Sequence, residues 1–199
     1  MKSGATFSNG WDLSAANQHS QNFDARPVGC VPELLVIHNI SLPMGQFTTD
    51  YVADLFMNRL DCAAHPELAQ LAGVRVSAHF FIRRDGGLMQ FVSADQRAWH
   101  AGVSAYQGRE RCNDFSIGVE LEGSDFVPFE TAQYDSLVQL THNLIQHYPI
   151  KDIVGHQDIA PIRKTDPGPF FDWVLYQNLL QHRFPLVLAN ATIRGHANR

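Results

Sequence analysis

Residues 33–40, Glu-Leu-Leu-Val-Ile-His-Asn-Ile, constrain the fold more than any other stretch of the chain. The apolar residues follow one another without the three- and four-residue steps of an amphipathic helix, and the run is short. That combination predicts a strand buried in a sheet, with His38 at its end. A similar apolar stretch at 152–156 predicts a second strand, ending at His156. Between them, residues 115–122 alternate, with Ile117, Val119 and Leu121 on one face and Gly118, Glu120 and Glu122 on the other, which predicts a half-buried strand. Strand-like residues 79–84 and 88–92 flank Asp85-Gly86-Gly87, the usual signal of a hairpin.

Helical spacing occurs in three places. Residues 49–56 combine a Thr or Asp start signal with apolar residues at helical intervals. Tyr134, Leu137, Leu140, Leu144, Ile145 and Tyr148 form the apolar stripe of an amphipathic helix over 131–148. A closing helix over 170–181 is introduced by Pro167 and Pro169. Strands interleaved with helices predict an α/β or α+β fold, a single domain with a central mixed β-sheet flanked by helices. We expect this domain to span 1–185, with a ragged, flexible tail over 186–199. The irregular stretch 62–76, with Pro66 and Gly73, reads as a lid-like binding loop.

The chain of 199 residues, 45% of them apolar, can bury one real core. Its formal charge of -5, with no basic run, disfavours nucleic acid and anionic membranes as partners. The first ten residues lack a signal-like apolar stretch and nothing later could span a bilayer, so a soluble, cytoplasmic protein is expected. Cys30, Cys62 and Cys112 are odd in number and lack Cys-x-x-Cys spacing, which fits free thiols in a reducing compartment.

His38, Glu120 and His156 lie on or at the ends of three predicted strands, and Asp166 follows soon after His156. Two imidazoles and a carboxylate, with a fourth position open, are a standard set for catalytic zinc. Spacing alone does not single them out among ten histidines. Each could equally be a hydrogen-bonded histidine at a strand end; Glu120 could be an exposed strand carboxylate, Lys164 a solvated lysine, and Asp166 a turn starter before Pro167.

The ordered motifs carry more. Val36-Ile37-His38-Asn39-Ile40-Ser41, Arg75-Val76-Ser77-Ala78-His79, Ala98-Trp99-His100-Ala101-Gly102 and residues 106–114 come first. Ser116-Ile117-Gly118-Val119-Glu120-Leu121-Glu122-Gly123, Gly155-His156-Gln157-Asp158-Ile159-Ala160-Pro161 and Lys164-Thr165-Asp166-Pro167-Gly168-Pro169 follow. From about Leu34 to Trp173 this series resembles the zinc N-acetylmuramyl-L-alanine amidases, and most closely their cytoplasmic 1,6-anhydro-muramyl branch. The resemblance implies the fold of peptidoglycan-recognition proteins, one zinc ion held by His38, His156 and Asp166, Glu120 rather than Glu122 as catalytic carboxylate, and Lys164 beside the metal. It also implies anhydro-muramyl peptides as substrate, a place in peptidoglycan recycling and an indirect effect on β-lactamase induction.

In that scheme Glu120 takes the proton of the attacking water and passes it to the alanine nitrogen, while Lys164 faces the charge growing on the carbonyl oxygen. Substrate contacts are expected from Trp99, a flat face for a sugar, and from Arg75 and Arg111, guanidinium forks suited to stem-peptide carboxylates. Asn39 and His79 complete the expected set, and a core role for Trp99 or His79 remains open. His65, His100 and Tyr106 receive no role. A monomer is expected. Two alternatives stand beside this scheme: an amidase acting on intact wall, and a recognition module that binds without cutting.

Overall fold

The computed structural model describes residues 6–195. Seven strands form one mixed sheet: β1 (Ala16–Asn17), β2 (Leu34–Ile40), β3 (Phe80–Ile82), β4 (Leu88–Gln90), β5 (Ser116–Glu122), β6 (Asp152–Gly155) and β7 (Thr192–Ile193). Their spatial order is β7-β6-β2-β5-β3-β4-β1. Four helices accompany them: α1 (Tyr51–Phe56), α2 (Thr131–His147), α3 (His156–Ile159) and α4 (Trp173–Arg183).

The long strands β2 and β5 are parallel neighbours at the centre, paired from Ser116 with Leu34 to Glu122 with Ile40. The apolar run predicted to be a buried strand is therefore β2. β5 differs from its expected half-buried state, because every one of its residues is buried. A parallel strand in mid-sheet is covered on both faces, and its polar-looking face meets protein rather than water.

Leu35, Ile37, Ile117, Val119, Leu121 and Ile153 pack on one face of the sheet with Tyr134, Leu137 and Leu144 of α2 and Tyr176 and Leu180 of α4. The opposite face is shared by two smaller clusters. Leu34, Val36 and Val154 meet Phe115 and Ile159, while Phe81 meets Val52 and Phe56 of α1. Since side chains alternate along a strand, His38, Gly118 and Glu120 share this second face. Gln133, fully buried at the start of α2, donates to the carbonyls of Ile82 (3.3 Å) and Glu122 (3.0 Å) and so fixes α2 on the sheet.

The hairpin forms as expected, with Ile82 opposite Leu88 and Gly86 at φ +84° in the turn. α4 begins later than predicted, at Trp173, where the Asp172 carboxylate accepts the Leu175 amide at 2.8 Å. The stretch 62–76 is not loose throughout: Pro66–Leu71 forms a 3-10 helix anchored by the fully buried Leu68. The tail expected to be ragged from 186 carries the 3-10 turn Val187–Ala189 and β7, which pairs with β6. Val187 and Ala191 are buried there, two small apolar contacts too short to give a periodic signal. Residues 196–199 of that tail lie outside the described residues. Cys30, Cys62 and Cys112 are free thiols, as expected. No helix among the described residues is long and apolar enough to cross a membrane.

Candidate active site

Three chain segments converge at the end of β2. His38 comes from β2 itself, His156 from the first residue of α3, directly after β6, and Asp166 from the turn that precedes Pro167. Gly155 makes that turn possible, because a Cβ there would lie 2.7 Å from Pro167 Cδ. His38 Nδ1 is 2.9 Å from His156 Nδ1, and each of these nitrogens is 3.0 Å from Asp166 Oδ2.

Hydrogen bonding does not account for every side of this triangle. His156 Nε2 lies 3.1 Å from the carbonyl of Ala101, which can only accept, so Nε2 carries a proton and Nδ1 is the nitrogen left to hold a ligand. Burial, reinforced by the nearby His156, lowers the pKa of His38 to about 4, so it is a neutral ring near pH 7. His156 Nδ1 and Asp166 Oδ2 are both electron-rich and stand 3.0 Å apart, an arrangement that a shared cation stabilises. The spacing approaches the roughly 3.3 Å separating neighbouring ligands of a four-coordinate ion with 2.0–2.1 Å bonds, and two imidazoles with a carboxylate are a donor set for zinc. These residues fit a metal, and their ligand atoms lie within 4.8 Å of one another.

Glu120 is the register partner of His38 on the adjacent strand. Its Oε1 is 3.9 Å from His38 Nδ1, and its Oε2 is buried with no hydrogen-bond partner among the described residues. Burial raises its pKa well above the ordinary value, the negative charge of Asp166 adds to the rise, and the ammonium of Lys164 opposes it. A carboxylate that readily takes up a proton, with one oxygen unpartnered among the described residues beside the His–His–Asp triangle, is a candidate acid and base. Asp166, one corner of the triangle, lines a cavity of about 370 Å³ together with Asn39, Ser41, Met44, Phe126 and Lys164.

The sequence profile of the Amidase_2 family, described as N-acetylmuramoyl-L-alanine amidase, matches residues 28–169. The chain belongs to this amidase family. It is 54% identical over 173 residues to the 1,6-anhydro-N-acetylmuramyl-L-alanine amidase AmpD of Escherichia coli (strain K12), covering 86% of this chain and 94% of that protein. Among solved structures, the crystal structure of a Se-Met AmpD derivative superposes with a TM-score of 0.85 at 52% identity, over 87% of this chain and 98% of that one. The amidase AmiD from E. coli, solved with anhydro-N-acetylmuramic acid-L-Ala-D-γ-Glu-L-Lys, gives 0.56 at 34% identity, over 77% of this chain and 60% of that one. Drosophila peptidoglycan recognition protein SD, at 16% identity and a TM-score of 0.52 over 80% of this chain and 88% of that one, shares the fold.

The amidase's other predicted site residues fall in several places. Asn39 lines the cavity, but its amide donates to Asp125 Oδ1 and to the Pro167 carbonyl, both at 2.9 Å, so it braces the turn that carries Asp166. His79 does not face the groove. It is fully buried, its Nδ1 accepts the Gly118 amide at 3.0 Å and its Nε2 donates to the Gln96 carbonyl at 3.0 Å, which fastens the hairpin to β5. Trp99 is half-buried. Arg75 and Arg111 are exposed and line separate depressions, the first with Leu60 and Leu71, the second with Ile159 and Arg163. Arg111 stands in the left-handed region at φ +60°.

Two residues received no role from the sequence, although one of them, His100, lies inside an ordered motif. Arg26 sends its guanidinium into the interior and donates to the carbonyls of Asn113, Asp114, Ala94 and Ser116. His100 stands next to the triangle: its Nδ1 is 3.0 Å from His38 Nε2 and its Nε2 is 3.1 Å from the Ser116 hydroxyl.

Proposed function

We propose that this amidase is zinc-dependent, holds one zinc ion through His38, His156 and Asp166, and hydrolyses the amide between 1,6-anhydro-N-acetylmuramic acid and L-alanine in soluble muropeptides. The observation that carries the proposal is the triangle of His38 Nδ1, His156 Nδ1 and Asp166 Oδ2, with the unpartnered Glu120 Oε2 beside it. Zinc in such a site supplies Lewis acidity toward a carbonyl and eases the loss of a proton from water near neutral pH.

The chain's own residues do the remaining work. Glu120 takes a proton from the water that attacks the lactyl carbonyl carbon. As the carbon–nitrogen bond breaks, it delivers that proton to the alanine nitrogen, leaving a free acid on the sugar and a free amine on the peptide. Lys164, on the cavity wall, brings its ammonium toward the carbonyl oxygen as negative charge grows there. Trp99, Arg75 and Arg111 are proposed to bind the sugar and the stem-peptide carboxylates. The anhydro-sugar preference is supported by the likeness to AmpD, named for that substrate. With it comes the reading that the protein acts as a monomer in cytoplasmic peptidoglycan recycling, where an effect on β-lactamase induction would follow from the level of uncleaved muropeptide.

The test is product analysis by chromatography and mass spectrometry after incubation with anhydro-muramyl tripeptide or with intact sacculi, each with and without a zinc chelator. Chelator-sensitive release of tripeptide from the fragment alone is the expected result. Release from sacculi as well would make it a broader wall amidase. Zinc-loaded protein that cuts neither would leave only a muropeptide-binding module.

A further inference from the structure

His100 has no place in the reaction just described, yet it occupies a built position. It sits over β5, where residue 118 is glycine: a Cβ there would lie 2.4 Å from His100 Nδ1 and 2.5 Å from its Cγ. No other residue type leaves room for the ring. The imidazole stands edge-on to His38, with ring centroids 5.1 Å apart and planes at 89°. The loop that carries it is held by the Asn113 side chain, whose Oδ1 accepts the amides of His100 (3.3 Å) and Ala101 (2.8 Å). That same loop supplies the Ala101 carbonyl bonded to His156.

We propose that His100 is a positioning residue for the metal site, fixing His38 in the tautomer and ring orientation that a metal ion requires. The chain of donors follows from the partners. A ligand at His38 Nδ1 requires that nitrogen to be bare, so His38 Nε2 carries the proton and donates to His100 Nδ1. His100 then carries its own proton on Nε2 and donates it to the Ser116 hydroxyl, which is fully buried. Both metal-facing histidines are thereby locked from behind by one loop, His156 through the Ala101 carbonyl and His38 through the His100 ring. Outer partners of this kind raise ligand basicity and hold the ring in place, and their loss lowers metal affinity about 10- to 100-fold. An imidazole, unlike a carbonyl, accepts at one end only by donating at the other. The Ser116 contact is therefore part of the device.

The inference rests on reading His38 as a metal ligand, and its test separates the two. In zinc-loaded wild-type protein, two-bond ¹H–¹⁵N correlation of the imidazoles reports which nitrogen of each ring is protonated. A protonated Nε2 and a bare Nδ1 on His100 are expected. A protein that takes up no zinc overturns the metal site itself, whereas zinc uptake with His100 protonated on Nδ1 overturns only the relay. Zinc affinity, measured by competition with a chelator, gives the second readout. His100→Ala should weaken binding about 10- to 100-fold, and His100→Asn, whose amide oxygen can stand in for Nδ1, should recover most of that loss. Both variants leave a gap over Gly118, so a role limited to packing predicts equal zinc affinities for the two, a result that overturns the proposal.

Discussion

Glu120 and Glu122 share one strand and one face of the sheet, but their surroundings divide their tasks. Glu122 Oε1 accepts the Thr48 amide at 2.5 Å and its Oε2 the Arg84 amide at 2.9 Å, so both oxygens are committed to backbone. Glu120 Oε2 has no such partner. Replacing Glu120 by Gln should leave zinc content unchanged, as measured by metal analysis, while turnover falls about 10²- to 10⁴-fold. Replacing Glu122 by Gln turns a donor toward a backbone amide and should lower stability by about 1–3 kcal/mol in urea titration. His156→Ala should instead release the zinc, and full metal content in that variant would refute the ligand set. The meeting of His38, His156 and Asp166 beside Glu120 was legible because ordered motifs surround them. His79 stayed open between a groove contact and a core role because a histidine at the start of a strand does not announce which face it joins, and its two bonds come from segments far along the chain. Arg26 and His100 were illegible for the same reason: their partners are carbonyls and ring nitrogens that only folding brings near.

Among the elements, β2, the hairpin and α2 were readable because each carries a local pattern strong enough to stand alone. The full burial of β5 was not, since an alternating strand looks the same whether its second face meets water or protein. β7 is two residues long and leaves no period to read. Its contribution is measurable nonetheless. Deleting residues 187–199 removes the β6–β7 pairing and exposes surface now covered by Val187 and Ala191. Burying one valine contributes about 1.5–3 kcal/mol, and a domain of this size loses about 2–4 °C per kcal/mol. The truncated protein should melt roughly 3–12 °C lower in a thermal scan, and an unchanged midpoint would show that the tail is dispensable.

The molecule as a whole keeps several histidines neutral in its interior, and this sets its response to acid. Burial, with help from the Arg26 charge, lowers His79 from the ordinary 6.5 to about 3. Between those values the unfolded chain binds a proton that the folded one refuses. Stability is therefore fully present above about pH 6.5 and declines as pH falls toward 3, by up to about 1.4 kcal/mol per pH unit for each such group. Urea midpoints of zinc-free protein should fall between neutral pH and about pH 5. A His79→Asn variant should show a shallower fall, and an equal slope would mean that His79 is not the group titrating.

The pairing of Glu120 with His38 across two parallel strands has one more consequence. In a sheet, a slip of one residue turns every side chain of a strand to the other face. A chain in which β2 slipped one step against β5 would turn the imidazole toward the leucines of α2 and α4, away from Glu120 and from its companions. Such a molecule could look folded by its helix content and still be unable to capture an ion. Zinc stoichiometry in a refolded sample would thus count the molecules whose strands found their proper alignment, a tally of folding accuracy read from the metal.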